Sequence, residues 1–244
     1  DERAIVVTAI SEGQSRAMGQ IPPIDVGLGL VFLGLHRLLQ PLHLVPRCLQ
    51  RVAFPVLGGC GEKARVATEA DTSIAAVSLD GTATELSRAA IRELADAMNG
   101  PVLLSGDPGY DGARKVWNGM HDKRPALIAR CASAADAAKA VTFARERELL
   151  VAVRGGGHSW PGKSSCDHGL MIDLSPINTV RVDSARRRAY AGGGALLNAL
   201  DTAALESGLV TTAGVVSHTG VGGYTLGGGF GRLNRTCSHG THRR

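Results

Sequence analysis

From residue 82 onward, apolar positions recur at spacings that specify helices and strands. Thr82 and Glu85 have the spacing of a capping box, and Leu86, Ile91, Leu94 and Met98 trace the apolar stripe of a helix that stops at Gly100. Residues 101–105 read as a short extended segment and residues 126–130 as a strand. Ser133 and Asp136 make a second capping box, opening a helix to about residue 148 with Ala137, Val141 and Ala144 inward. The unbroken apolar run 149–153 predicts a buried strand, and residues 170–174 predict another. Residues 179–182 and 188–191 form a hairpin about a polar turn at 183–186. A third helix spans residues 195–206 and ends at Gly208, which suits a C-terminal cap, and residues 210–213 read as a last strand. This irregular mixture predicts an α+β domain over residues 82–236 rather than a strict βαβ repeat.

Residues 1–81 show neither a helical nor a strand period, and no fold is assigned to them; little regular order is expected there. The chain begins at Asp1 rather than Met, as a chain starting inside a longer reading frame would. Residues 237–244 are polar and aperiodic and read as a frayed tail. His239 and His242 could face a common metal only on a helix, which Gly240 weakens, so no metal site is expected.

Composition narrows the classes. With 244 residues and 44% hydrophobic content the chain is long and apolar enough for one large or two small domains. The net charge of +5 comes from scattered arginines without interleaved aromatics, which argues against a nucleic-acid partner. Five cysteines, an odd number with no CxxC pair, fit a reducing compartment and neither a disulfide framework nor a zinc site. The apolar run 26–35 is half a membrane span, and no secretory signal opens the chain. A cytoplasmic protein without a membrane partner is the expectation.

The candidate chemistry lies in two glycine clusters. The first, Arg154, Gly155, Gly156, Gly157, His158 and Ser159, follows the apolar run 149–153; the second spans residues 220–231 and reads GVGGYTLGGGFG. Consecutive glycines cost backbone entropy and suit places where a ligand or another backbone approaches closely. Plain chain-reversing turns would use them too. Residues 157–164 also fit the P-loop pattern G-x-x-x-x-G-K-[ST], which makes a nucleotide-binding protein the alternative. A P-loop needs a helix N-terminus aimed at the phosphates, and residues 165–169 lead instead into a strand. Neither cluster has Rossmann spacing. A basic, non-enzymatic binding module is a further class.

Four stretches taken together are more specific than any one glycine motif: RPALIARC (124–131), VAVRGGGHSWPG (151–162), GLMIDLSPINTVRVD (169–183) and AGVVSHTGVGGYTLGGGFGRLNR (213–235). In this order they resemble the FAD-binding domain of berberine-bridge-enzyme-like flavoproteins, in the vanillyl-alcohol-oxidase (PCMH-type) superfamily of FAD-linked oxidases. The resemblance implies a partial PCMH-type domain that binds FAD. It assigns the diphosphate-cradling role to residues 154–159 and makes His158 the residue joined to the 8α-methyl of the flavin. It assigns Ser217, Thr219, Gly220, Gly222 and Gly223 to the segment lining the diphosphate and ring, along with His218, and brings Tyr224 and Leu226 against or beneath the ring. Some members have a second, cysteinyl link; Cys166 lies in the corresponding region, but a single link is expected. The implied activity is hydride transfer from an alcohol, sugar or related small molecule to FAD, with dioxygen or another molecule as electron acceptor. No catalytic base is identified. Beyond Arg235 the sequence departs from the family pattern, and the substrate domain is absent, so the 244-residue chain is expected to be inactive or to bind FAD weakly.

Overall fold

The computed structural model describes residues 5–8, 10–11 and 73–233. The reading of residues 12–72 and of the 237–244 tail lies outside the described residues, as do Cys48, Cys60 and Cys237. Within the stretch left without a fold, β1 (Ile5–Thr8), β2 (Ile10–Ser11) and β3 (Ser73–Val77) are extended, so regular structure begins ahead of Gly81.

β3 forms an antiparallel hairpin with β4 (Ala83–Ser87), and Gly81 makes the turn at φ 87°. The helix expected from Thr82 therefore begins later, as α1 (Arg88–Ala97), capped by Ser87, whose Oγ accepts the Ala90 N–H at 3.2 Å. The physical reason is a competing period: residues 83–87 alternate between exposed and covered positions, and Leu86 is buried on the inner face. The spacing of Thr82 and Glu85 was a coincidence within a strand; Thr82 bonds Asp80 and Ser78, and Glu85 accepts from Ser73.

A four-stranded sheet forms the centre, with the order β5 (Val102–Leu104), β6 (Leu127–Arg130), β8 (Leu170–Asp173), β7 (Val151–Arg154). β6, β8 and β7 are parallel, and β5 is antiparallel to β6. β6 and β7 are joined through α3 (Ala134–Glu146), which is capped by Ser133 as its spacing predicts. Both faces of β6 and β8 are covered: α1 and α3 pack on one, and Tyr110 and Ala113 of α2 (Tyr110–Arg114) on the other. This explains the continuous apolar runs of these two strands. The run 149–153 belongs instead to the outer strand among the described residues; Leu149 and Ala152 are buried, whereas Val151 and Val153 are only partly covered.

Asp136 does more than a capping box requires. Its buried carboxylate accepts backbone N–H groups of Asn99, Gly100 and Ala132 at 3.0–3.1 Å, tying the start of α3 to the turn after α1. Burial alone would raise its pKa, but the three donors together hold it below the usual carboxylate value.

A second layer carries the hairpin β9 (Val180–Asp183) and β10 (Arg188–Ala191), with β1 paired to β10. α4 (Leu197–Glu206) covers it, burying Leu197 and Leu200 against Ala189 and Ala191, and Gly208 ends the helix at φ 65°. The last strand is only β11 (Leu209–Val210), paired with β2. The second glycine cluster opens with the short helix α5 (Val221–Leu226). Among the described residues no helix is long and apolar enough to cross a membrane.

Candidate cofactor-binding site

The three parallel strands end side by side in Arg130, Asp173 and Arg154. Asp173 is fully buried and accepts from Arg130 Nε at 3.1 Å and Arg154 Nη1 at 3.2 Å; its carboxylate also takes the Ser175 N–H and hydroxyl. Two guanidinium groups and two further donors compensate one desolvated carboxylate. The Arg154 side chain is thereby committed to the sheet edge and lies against Gly157, while its backbone begins the glycine turn.

That turn meets the second glycine cluster directly. A Cβ on Gly156 would fall 2.5 Å from Gly220 Cα, and one on Gly220 would fall 2.8 Å from Gly156 Cα. No side chain fits between two backbones this close. Gly157 turns the chain at φ 67°. A third glycine run, 192–194, joins the contact: Cβ atoms on Gly155 and Gly222 would lie 2.8 and 2.9 Å from the Gly193 carbonyl oxygen. Backbone bonds hold the segments in register, Leu197 N–H to Thr219 O and Val221 N–H to Ala195 O, at 2.9 and 2.8 Å. Among the described residues, none accepts a hydrogen bond from the N–H of Gly156, Gly157 or His158. Uncommitted amides on a tight glycine turn suit an anionic group.

His158 stands at the lip of this junction. Its Nε2 is buried without a hydrogen-bond partner, and its ring lies 4.8 Å from that of His218, which comes from the other glycine segment. Burial lowers its pKa below the ordinary 6.5, and the neighbouring His218 lowers it further, so the neutral imidazole is favoured. An orphaned imidazole nitrogen beside an all-backbone cradle fits a large ligand with both an anionic and an electrophilic part.

Other residues expected at the site divide. Ser159 accepts the Lys163 N–H and so closes the next turn. Ser217 is exposed, and Thr219 is half-buried beside the glycine contact. Gly220 and Gly222 are buried in the junction, whereas Gly223 is exposed with open space around it. Tyr224 packs beneath, donating its hydroxyl to Thr212 O at 3.2 Å, and Leu226 is exposed at the end of α5. No helix follows Lys163, so residues 157–164 are not a P-loop: the chain turns at Gly162 and passes to β8. Cys166 is buried, and burial pushes its thiol up to about 11, which opposes thiolate chemistry.

Sequence reasoning missed two contributors. The run Gly192–Gly194 was visible as a third glycine triplet, but nothing in its spacing announces that it meets the other two. Trp117, which stacks on His158 with ring centroids 4.3 Å apart and planes 17° from parallel, comes from the segment between α2 and β6. The one local signal was rarity: the chain has two tryptophans, and the other, Trp160, lies 5.9 Å from Trp117.

Residues 125–242 match the FAD binding domain family. The chain is 39% identical over 137 residues to (R)-6-hydroxynicotine oxidase of Paenarthrobacter nicotinovorans, covering 56% of this chain and 30% of the relative. It is 37% identical over 147 residues to an FAD-linked oxidoreductase of Dictyostelium discoideum, covering 60% and 32%. Among solved structures it is similar to 6-hydroxy-D-nicotine oxidase from Arthrobacter nicotinovorans (TM-score 0.55, 39% identity, 56% and 30% covered). It is also similar to a berberine-bridge-enzyme-like protein of Physcomitrella patens (TM-score 0.56, 27% identity, 60% and 32% covered). The chain thus spans about a third of the length of these relatives.

Proposed function

We propose that this chain carries part of the FAD-binding domain of an FAD-linked oxidoreductase, that the glycine junction holds the diphosphate of FAD and that His158 bonds covalently to the flavin ring. The observation that carries this reading is the joining of Gly156 to Gly220 beside a buried imidazole nitrogen that bonds nothing. The N–H groups of residues 156–158 would bind the diphosphate, and Gly193 meets Gly155 and Gly222 to close the junction. Arg154 supports the turn from below through Asp173 rather than by pairing with phosphate.

When bound, the flavin supplies hydride acceptance from an alcohol, sugar or related small molecule and passes electrons on to dioxygen. The part of His158 is attachment. His158 would hold the flavin by a bond from its ring nitrogen to the 8α-methyl carbon; nitrogen and carbon would each give up a proton, and the oxidised flavin, with dioxygen behind it, would supply the two-electron oxidant. Only the neutral imidazole offers the needed lone pair, and its lowered pKa keeps it neutral at pH 7. No residue described here is assigned as the catalytic base.

The test is to incubate the full chain with FAD, denature it in acid, and look for flavin by absorbance and peptide mass. Yellow colour should remain on the peptide containing His158 and vanish in His158→Ala. Attachment should plateau above pH 6.5 and fall at lower pH, with a midpoint below 6.5 because the folded-state pKa is depressed. Acid-labile flavin in the wild type, or acid-stable flavin in His158→Ala, would refute the covalent reading.

A further inference from the structure

We propose that Trp117 is a positioning residue for His158: it clamps one face of the imidazole so that Nε2 is held still while its lone pair stays free. The inference rests on the attachment role of His158.

A nitrogen that must form a bond poses a conflict. A hydrogen bond to it would fix the ring but occupy the lone pair. Stacking avoids this, because the contact is made through the ring face and leaves the edge open. The structure pairs a stacked ring face with an unbonded nitrogen. The rings of Trp117 and His158 lie 4.3 Å apart and 17° from parallel, and His158 Nε2 is buried without a hydrogen-bond partner. His218 approaches at 4.8 Å with its plane tilted 50°, limiting rotation from the side of the second glycine cluster.

Trp117 is itself fixed by a strap running over the loop that carries His158. The Trp117 N–H donates to Gly157 O at 3.0 Å, one residue before the histidine. Asn118 Nδ2 donates to Trp160 O at 2.9 Å, and His121 Nε2 lies 3.1 Å from the same oxygen. Lys123 Nζ donates to Gly162 O and Ser165 O at 3.0 and 3.2 Å, and Arg124 N–H donates to Asp167 at 2.8 Å. Residues 117–124 are therefore stitched along residues 157–167, while Trp117 itself stays 46% exposed. A large aromatic ring laid half in solvent across an orphaned imidazole, on a strap bonded at each end, is better explained by orientation than by core packing.

The experiment compares Trp117→Ala and Trp117→Phe with the wild type in the full chain. Three readouts are used: the rate of acid-stable flavin incorporation, the dissociation constant for FAD in a His158→Ala background, and the NMR shifts of the His158 ring protons without FAD. Trp117→Ala should slow incorporation by about tenfold or more while moving the dissociation constant by less than about threefold, because orientation rather than affinity is lost. Its His158 ring protons should lose the upfield shift that stacking imposes. Trp117→Phe, which retains a ring face, should keep most of both signals. Wild-type incorporation in Trp117→Ala would overturn the inference and leave the covalent reading standing, and so would loss of rate in exact parallel with loss of affinity. Acid-stable flavin in His158→Ala would overturn the covalent reading, and the inference with it.

Discussion

The molecule is packed by opposite means in two adjoining regions. In the sheet core, Leu127, Ile128, Leu170, Met171 and Ile172 are almost wholly excluded from water, and side chains from both covering layers interlock around them. At the glycine junction, backbones of residues 155–156, 193 and 220–222 touch with no side chain between them. The first arrangement draws stability from apolar area removed from water. The second yields little such area and spends conformational entropy on every glycine. What it gains is a surface of main-chain amides that a side-chain core cannot present. The ion cluster at Asp173 joins the regions, since Arg154 ends a strand of the sheet and begins the glycine turn.

This contrast predicts separable effects. Leu170→Ala, in the fully buried centre, should cost about 2–5 kcal/mol of unfolding free energy, read by denaturant melting. The folded fraction should still bind FAD with wild-type affinity; a matching loss of affinity would mean that the regions are not independent. Gly156→Ala should cost less in stability, about 1–3 kcal/mol from overpacking, yet abolish measurable FAD binding by forcing the two glycine segments apart. Retained FAD affinity there would break the comparison. Gly223→Ala should have the smallest effect, because open space surrounds that glycine on α5. Its added methyl should stabilise the helix by about 0.5–1 kcal/mol, read by denaturant melting.

Much of both layers was legible in local pattern. The Ser133 cap, the strands at 127–130 and 170–173, the hairpin and the Gly208 helix stop each depend on residues close in sequence. The hairpin strand at 83–87 was misread because a capping spacing and a strand alternation coexist in the six residues 82–87, and pairing with residues 73–77 decided between them. The edge position of residues 151–154 was likewise hidden, since an apolar run records burial and not strand order.

For the site, local sequence determined the glycine turns and placed a histidine at the end of one of them. It did so because a turn at φ 67° on Gly157 and a backbone contact without room for Cβ atoms are requirements that a residue type alone can meet. Tertiary structure decided everything that depends on distance in space. It brought residues 155–157, 192–194 and 220–222 together, turned the Arg154 guanidinium toward Asp173, and laid Trp117 across His158 from forty-one positions upstream. Chain proximity carries no record of such contacts, because they are selected by how the sheet and its covering layers pack, and that packing is a property of the whole domain.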